Sequence, residues 1–180
     1  MSVWSRGGLV PAGLTFGRVP AAAALRSVYT AAFAPPPWHE TPDQIDAFAG
    51  RLASHSRTPG FRCDIAYLAG EPAGFTYGFP TPDPWPVDRL YPSIAGAVGD
   101  LSVLTSRFEV HEVAVDPRFA GQGIGAALVR RVIAGAGGSW LVTSPKAAAA
   151  VRLYERLGWS CLREFTVRGD AFRIYLSPDA

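Results

Sequence analysis

The run from Phe108 to Leu128, FEVHEVAVDPRFAGQGIGAAL, leaves little freedom for what surrounds it. Phe108 to Val115 is rich in β-branched and apolar residues and predicts a strand. Asp116-Pro117 ends that strand, because proline has no N–H to give to a ladder. Gly121, Gly123 and Gly125 then form a loop that leads into a helical spacing of Ile124, Leu128, Val129, Val132 and Ile133. A strand, a glycine loop and a helix start together make an anion site. The first N–H groups of a helix lack partners within it, and the helix dipole favours negative charge there.

Two nucleotide-binding readings fail on this run. Gly121-Gln122-Gly123-Ile124-Gly125-Ala126 satisfies the relaxed dinucleotide pattern, but that pattern needs an acidic residue about 20 positions on. Leu141 to Val151 contains none. No glycine-lysine-serine/threonine follows either, which excludes a P-loop. An ordinary glycine loop before a helix stays open at this level.

The chain has 180 residues, 48% hydrophobic and 18% charged, which suits one packed domain rather than disorder. Residues 1–12 are expected to be a flexible tail without a secretory signal, and 13–180 a single domain. The net charge is +2 and Lys146 is the only lysine, so nucleic acid is not an expected partner. Cys63 and Cys161 fit no metal spacing and are expected as free thiols, with no metal bound. No apolar run reaches the roughly 18 residues of a membrane span, so the expected location is the cytoplasm.

From the start, Leu14 to Val19 predicts a short strand and Ala21 to Phe33 a helix, stopped by Pro35-Pro36-Pro37. Thr41-Pro42-Asp43-Gln44 reads as a capping box opening a second helix with Ile45, Phe48, Ala49 and Leu52 on its apolar face. Phe61 to Leu68 and Ala73 to Phe79 flank a short turn as a hairpin. A proline-rich loop over 80–92 precedes a short helix within Ile94 to Leu104. Ser139 to Thr143 predicts a strand. Ser144 caps a helix over Ala147 to Leu157, which Gly158 ends. Trp159 to Arg168 and Ala171 to Leu176 close the chain as a hairpin. The order implies a mixed α/β sheet with helices on its faces.

At this point VAVDPRFAGQGIGAAL and the later AAAAVRLYERLGW resemble the two hallmark segments of the GCN5-related N-acetyltransferase (GNAT) superfamily, and the element order agrees from Leu14 to the end. The resemblance implies a central mixed, mostly antiparallel sheet of about seven strands, split between the fourth and fifth and flanked by about four helices. It implies acetyl-CoA as cofactor and a primary amine, expected in a small molecule, as acceptor. Its pyrophosphate is expected on the backbone of Gly121, Gln122, Gly123, Ile124, Gly125 and Ala126. Its pantetheine arm is expected along Val113, Ala114 and Val115, in the split before Ser139–Thr143. The chain departs from the pattern at Ala120, where the family favours Arg or Gln, with Arg118 or Arg130 as candidate substitutes. Ser144 and Ala147 stand where an asparagine often touches the pantetheine, leaving Ser144 as the remaining donor. A protein or peptide amine, or a non-catalytic acyl-CoA sensor, are the competing roles. The family often forms dimers, so a homodimer is a candidate assembly.

An alkyl amine is protonated at neutral pH and must lose that proton before attacking a thioester. The leaving thiolate needs an acid and the oxyanion needs dipoles. Tyr154 matches the family's acid, and backbone N–H groups around Val113 suit the oxyanion. Glu109 is the favoured base, at the position of the glutamate in the family's histone acetyltransferases. His111 is second, at the position of a histidine in the arylalkylamine acetyltransferases. Strict alternation puts Glu112 on the opposite face of that strand. Trp38, Phe79 and Trp85 are the aromatic candidates for an acceptor pocket, with Glu40, Asp83 and Asp88 as ammonium partners.

Overall fold

Among the described residues, runs rich in β-branched and aromatic side chains, buried on both faces at the centre of the sheet, build seven strands: β1 (Leu14–Arg18), β2 (Arg62–Leu68), β3 (Glu71–Pro80), β4 (Phe108–Val115), β5 (Ser139–Thr143), β6 (Ser160–Val167) and β7 (Asp170–Leu176). A computed structural model of the chain describes residues 11–18 and 22–178. The strands form one sheet in the order β1-β2-β3-β4-β5-β7-β6. Every neighbouring pair is antiparallel except β4 and β5, which are parallel. A parallel pair needs a crossover, and the glycine loop with the helix after it supplies one. The mixed, mostly antiparallel sheet agrees with the expected fold. Most of the expected tail over 1–12 lies outside the described residues, as does Ala21.

Helices cover both faces. α1 (Ala22–Phe33) buries Leu25, Val28, Tyr29 and Phe33 mainly against β3 and β4, a spacing of three and four that makes one helical stripe. The second predicted helix is two, α2 (Pro42–Asp46) and α3 (Phe48–His55). The capping box at Thr41 and Gln44 forms as expected. The break has a local cause: the Gln44 carbonyl accepts from Arg51 Nη1 at 2.9 Å, where an unbroken helix would give it the Phe48 N–H. α4 (Tyr91–Val98) and the single turn α5 (Ser102–Thr105) pack over β5 and β7 through Tyr91, Ile94, Leu104 and Trp140. On the opposite face α6 (Ile124–Val132) and α7 (Ala148–Arg156) bury Leu128, Val129, Val132 and Tyr154. Among the described residues no helix is long and apolar enough to cross a membrane.

Two irregularities of β4 break the regular sheet. β4 pairs with β5 only at Phe108↔Ser139 and Glu109↔Trp140, and beyond that the strands part. The closed end is fastened by the buried Thr81 hydroxyl, which accepts from Trp140 Nε1 at 2.8 Å and faces the carbonyls of Leu104 and Arg107. On the other side of β4, Tyr77 pairs with Glu112 and Gly78 with Val110, so His111 is an extra, unpaired residue, a β-bulge. The bulge corrects the alternation expected from sequence. Val110 and Val113 pack toward α6 and α7, while His111 and Ala114 turn toward the α1 side. Glu112, one pleat from Ala114, therefore joins Glu109 and His111 on one face.

Gly78 makes the bulge sterically possible. A Cβ there would collide with the Glu109 carbonyl oxygen and come within 2.6 Å of Phe108 Cε1. The neighbour is backbone, which cannot swing aside. Gly78→Ala is therefore expected to lower stability by about 1–3 kcal/mol in chemical denaturation, the usual cost of overpacking. An alanine variant as stable as the parent would show that the bulge has slack.

Candidate active site

The glycine loop is a candidate anion cradle built of backbone alone. Gly121 and Gly123 have φ of +76° and +79°, conformations that glycine adopts without strain. Gly123 occupies the N-cap of α6, and no side chain caps that helix. The first bond into the helix is Ala127 N–H to the Gly123 carbonyl, so the N–H groups of Ile124, Gly125 and Ala126 keep no helical partner. Gly125 packs tightly on α7: a Cβ there would meet Leu153 Cδ2 at 3.1 Å, and the leucine would have to give by a few tenths of an ångström. Gln122 is exposed beside the cradle. Neither candidate arginine serves it. Arg118 is held by Asp116 and Glu71 at 2.9 and 3.2 Å, and Arg130 lies in the last turn of α6, at the far end of the helix.

Where β4 and β5 part, a cavity of about 330 Å³ opens through the sheet. Its walls are Glu109 to Val113 of β4, Leu141 to Thr143 of β5 with Ser144 beyond it, Ala150 and Tyr154 of α7, and Phe172 of β7. On the α1 side it is closed by Phe33, Trp38 and Glu40, and by Arg89 to Tyr91 with Ile94 of α4. Tyr154 is 5% exposed and packs against Trp159 and Tyr175. Among the described residues nothing hydrogen-bonds its hydroxyl, which faces the cavity. Burial, with the nearby Glu112 charge, holds its phenol above the ordinary range, so it stays protonated.

Three carboxylates line this cavity in different states. Glu109 is 6% exposed and fully engaged: Tyr91 donates to one oxygen at 2.7 Å and His111 Nδ1 meets the other at 2.7 Å. Because the carboxylate accepts, it is Nδ1 that carries the hydrogen of this bond. His111 itself sits among the rings of His55, Tyr77 and Phe79, at 4.2, 5.5 and 5.2 Å. Burial and the His111 charge lower the His55 pKa to about 4, so it is neutral. Glu40 accepts from Tyr29 at 2.7 Å and lies 3.9 Å from Arg51. Glu112 has no hydrogen-bond partner among the described residues for its side chain. Burial pushes its pKa up to about 7, with His111 opposing and Glu40 adding to the shift. A carboxylate that changes charge near neutral pH is suited to proton transfer.

The expected residues thus divide. Tyr154, Glu109, His111, Val113, Ser144 and Trp38 come together on the cavity. Ser144 is not the helix cap: Pro145 begins a turn closed by Ala147 N–H to the Ser144 carbonyl, and α7 starts after Ala147. The Ser144 hydroxyl accepts from Lys146 N–H at 3.2 Å, which leaves its own hydrogen for another partner. Phe79 is 2% exposed and belongs to the core behind His111, outside the cavity lining. Trp85 stacks on Trp140 and donates to the Tyr91 carbonyl, bracing α4 from behind. Asp83 and Asp88 do not line the cavity. Sequence reasoning passed over Glu112 and Arg89. The bulge that redirects Glu112 has no local signature, though Gly78 inside a strand pattern hinted at a close backbone approach. Both cysteines are free, and among the described residues no cluster of His, Cys, Asp or Glu fits a metal.

Known proteins agree with this geometry. The profile of the acetyltransferase (GNAT) family matches residues 23–159. A GCN5-like protein acetyltransferase, Rv2170 of Mycobacterium tuberculosis, is 33% identical over 112 residues, which is 54% of this chain. The match spans 52% of that relative, about half its length. A GNAT-family acetyltransferase from Desulfovibrio desulfuricans superposes with a TM-score of 0.66 at 22% identity, over 93% of this chain and 99% of its own. The ribosomal-protein-S18-alanine N-acetyltransferase of Escherichia coli gives 0.63 at 20% identity, over 93% and 94%. At such identities these two share the fold. With the family profile covering most of the sequence and the split sheet in place, the chain belongs to the acetyltransferase (GNAT) family.

Proposed function

We propose that this protein transfers an acetyl group from acetyl-CoA to the primary amine of a small molecule. One observation carries the reading. The uncapped start of α6 stands beside Val115, at the unpaired end of β4, and the cavity where β4 and β5 part is lined by a tyrosine and a carboxylate whose side chains have no hydrogen-bond partner among the described residues. The cradle suits the cofactor's diphosphate, because its glycines carry no Cβ to block the approach. Unpaired edges of β4 and β5 suit an extended amide-bearing arm, with Val113, Ala114, Val115 and Ser144 as its partners. Acetyl-CoA, when bound, supplies the acetyl group as an activated thioester.

The protein's own groups divide the proton work. Glu112 takes the ammonium proton, since its carboxylate is free and titrates near neutrality. Glu109, with both oxygens occupied, fixes the His111 ring and its tautomer. Tyr154 gives its proton to the departing sulfur. A phenol near pKa 10 against a thiol near 8.5 makes that donation modestly uphill, on the order of 2 kcal/mol, before the site retunes either group. The Val113 N–H is the candidate dipole for the oxyanion. The acceptor is small because the cavity of about 330 Å³ must hold both the acyl end and the amine. The name of the mycobacterial relative favours a protein amine as a second reading, on half of that relative's length.

Coenzyme A release measured against a panel of amines tests the activity, and calorimetry with coenzyme A tests the cradle. A chain that binds no coenzyme A would end this reading. Tyr154→Phe should lower kcat by on the order of 10², with coenzyme A affinity unchanged. The rate should rise with pH through about 7, where Glu112 loses its proton. Glu112→Gln should remove that limb together with most of the activity; survival of the limb would return the base to His111. Stability should move the other way. A carboxyl raised from 4.5 to about 7 favours the protonated native state, a stability present below pH 4.5 and lost as pH climbs through 7. Glu112→Gln should therefore melt higher than the parent at pH 8 and no higher at pH 4.5.

A further inference from the structure

Beside Glu112, one other charge on the cavity has no partner among the described residues. Arg89 is the only arginine or lysine among the lining residues. Its side chain makes no ion pair or hydrogen bond with any described residue, although three carboxylates share the cavity. Glu40 is taken by Tyr29 and Arg51, and Glu109 by Tyr91 and His111. Arg89 and Glu112 do not bridge each other. The Arg89 charge nevertheless reaches inward, since it acts on His55, Tyr77, Tyr91 and Glu112.

The backbone points the same way. Four described non-glycine residues have positive φ: His39, Ala69, Arg89 and Arg168. Ala69 and Arg168 precede glycines in the hairpin turns, where such a conformation is routine. His39 and Arg89 are outside any hairpin, and both border the cavity: His39 lies between Trp38 and Glu40, and Arg89 is at φ +55°. A side chain that disfavours the left-handed region is held there by its surroundings, a pattern common at ligand clamps.

We propose that the acceptor is a zwitterion, a small amino acid with an apolar side chain whose carboxylate docks on Arg89 while its amine faces Glu112. Two opposite charges, each unpartnered and facing the same space, are matched by one molecule carrying both opposite charges. A guanidinium is the side chain best shaped for a carboxylate, which it can grip with two parallel hydrogen bonds. Phe33, Trp38, Leu90 and Ile94 supply an apolar wall for the side chain. This rests on the acetyltransferase reading and narrows its substrate.

The test compares L-phenylalanine, L-phenylalaninamide and phenethylamine, and likewise L-leucine, L-leucinamide and isoamylamine, as acceptors with acetyl-CoA. The amide holds the less basic amine, so intrinsic reactivity at neutral pH favours it over the acid. The wild-type enzyme should nonetheless prefer the acid by tenfold or more in kcat/KM, expressed mainly in KM. In Arg89→Met the acid-to-amide ratio should fall to one or below, and Arg89→Lys should restore part of it. Equal use of acid, amide and amine by the wild-type enzyme would overturn the proposal and leave acetyl transfer intact. So would an Arg89→Met variant that keeps the ratio. Coenzyme A binding without transfer to any amine would instead bring down the acetyltransferase reading itself. The wild-type series decides the matter even if a variant folds poorly.

Discussion

Everything at the candidate site depends on a sheet that stops pairing halfway. β4 and β5 share two register positions and then separate, although both strands continue. Unpaired backbone inside a fold is costly, and edges of sheets are normally covered or blunted. Here the exposed edges lie inside the molecule, next to the start of α6. The layout supplies two kinds of backbone donor to one crevice, the edge N–H groups of β4 and the first N–H groups of the helix. Neither depends on a particular side chain, so the departure at Ala120 leaves the cradle's geometry in place.

Much of this was legible locally. The strands at Phe108–Val115 and Ser139–Thr143 have the bounds their composition predicts, and the glycine loop runs into a helix at Ile124. What escaped was set at a distance. Whether Glu112 faces Glu109 or turns away depends on which residue of β3 lies opposite, and the answer comes from Gly78, more than thirty positions upstream. The break between α2 and α3 arises from an arginine claiming a carbonyl seven residues back. Ser144 looked like a cap because serine before proline usually is one; a turn through Ala147 delays the helix instead. Phe79 and Trp85 have the right chemistry for a pocket but are spent on packing, a distinction that only three-dimensional neighbours make.

The site also shows where stability is given up. Glu112 is a half-buried carboxylate and Tyr154 a buried phenol, neither with a side-chain hydrogen-bond partner among the described residues, and α6 lacks a side-chain cap. Each of these would be improved by an ordinary substitution if folding were the only demand. Their counterparts nearby are satisfied: Glu109 by two donors, Glu40 by a tyrosine and an arginine, and the α2 start by a full capping box. Unsatisfied and satisfied groups of the same type thus stand side by side, the contrast on which the proposed chemistry rests.

The Thr81 hydroxyl carries a further implication. It accepts from Trp140 and faces two carbonyls, yet it has a single hydrogen. That hydrogen can satisfy only one carbonyl at a time, while the indole contact holds in both settings. The junction of β4 and β5 is thereby pinned like a fulcrum, with Thr81 N–H also bonded to the Arg107 carbonyl. If the crevice widens, it must do so by the strands fanning apart from their free ends, with the displacement growing toward Val113 and Thr143 and vanishing near Trp140.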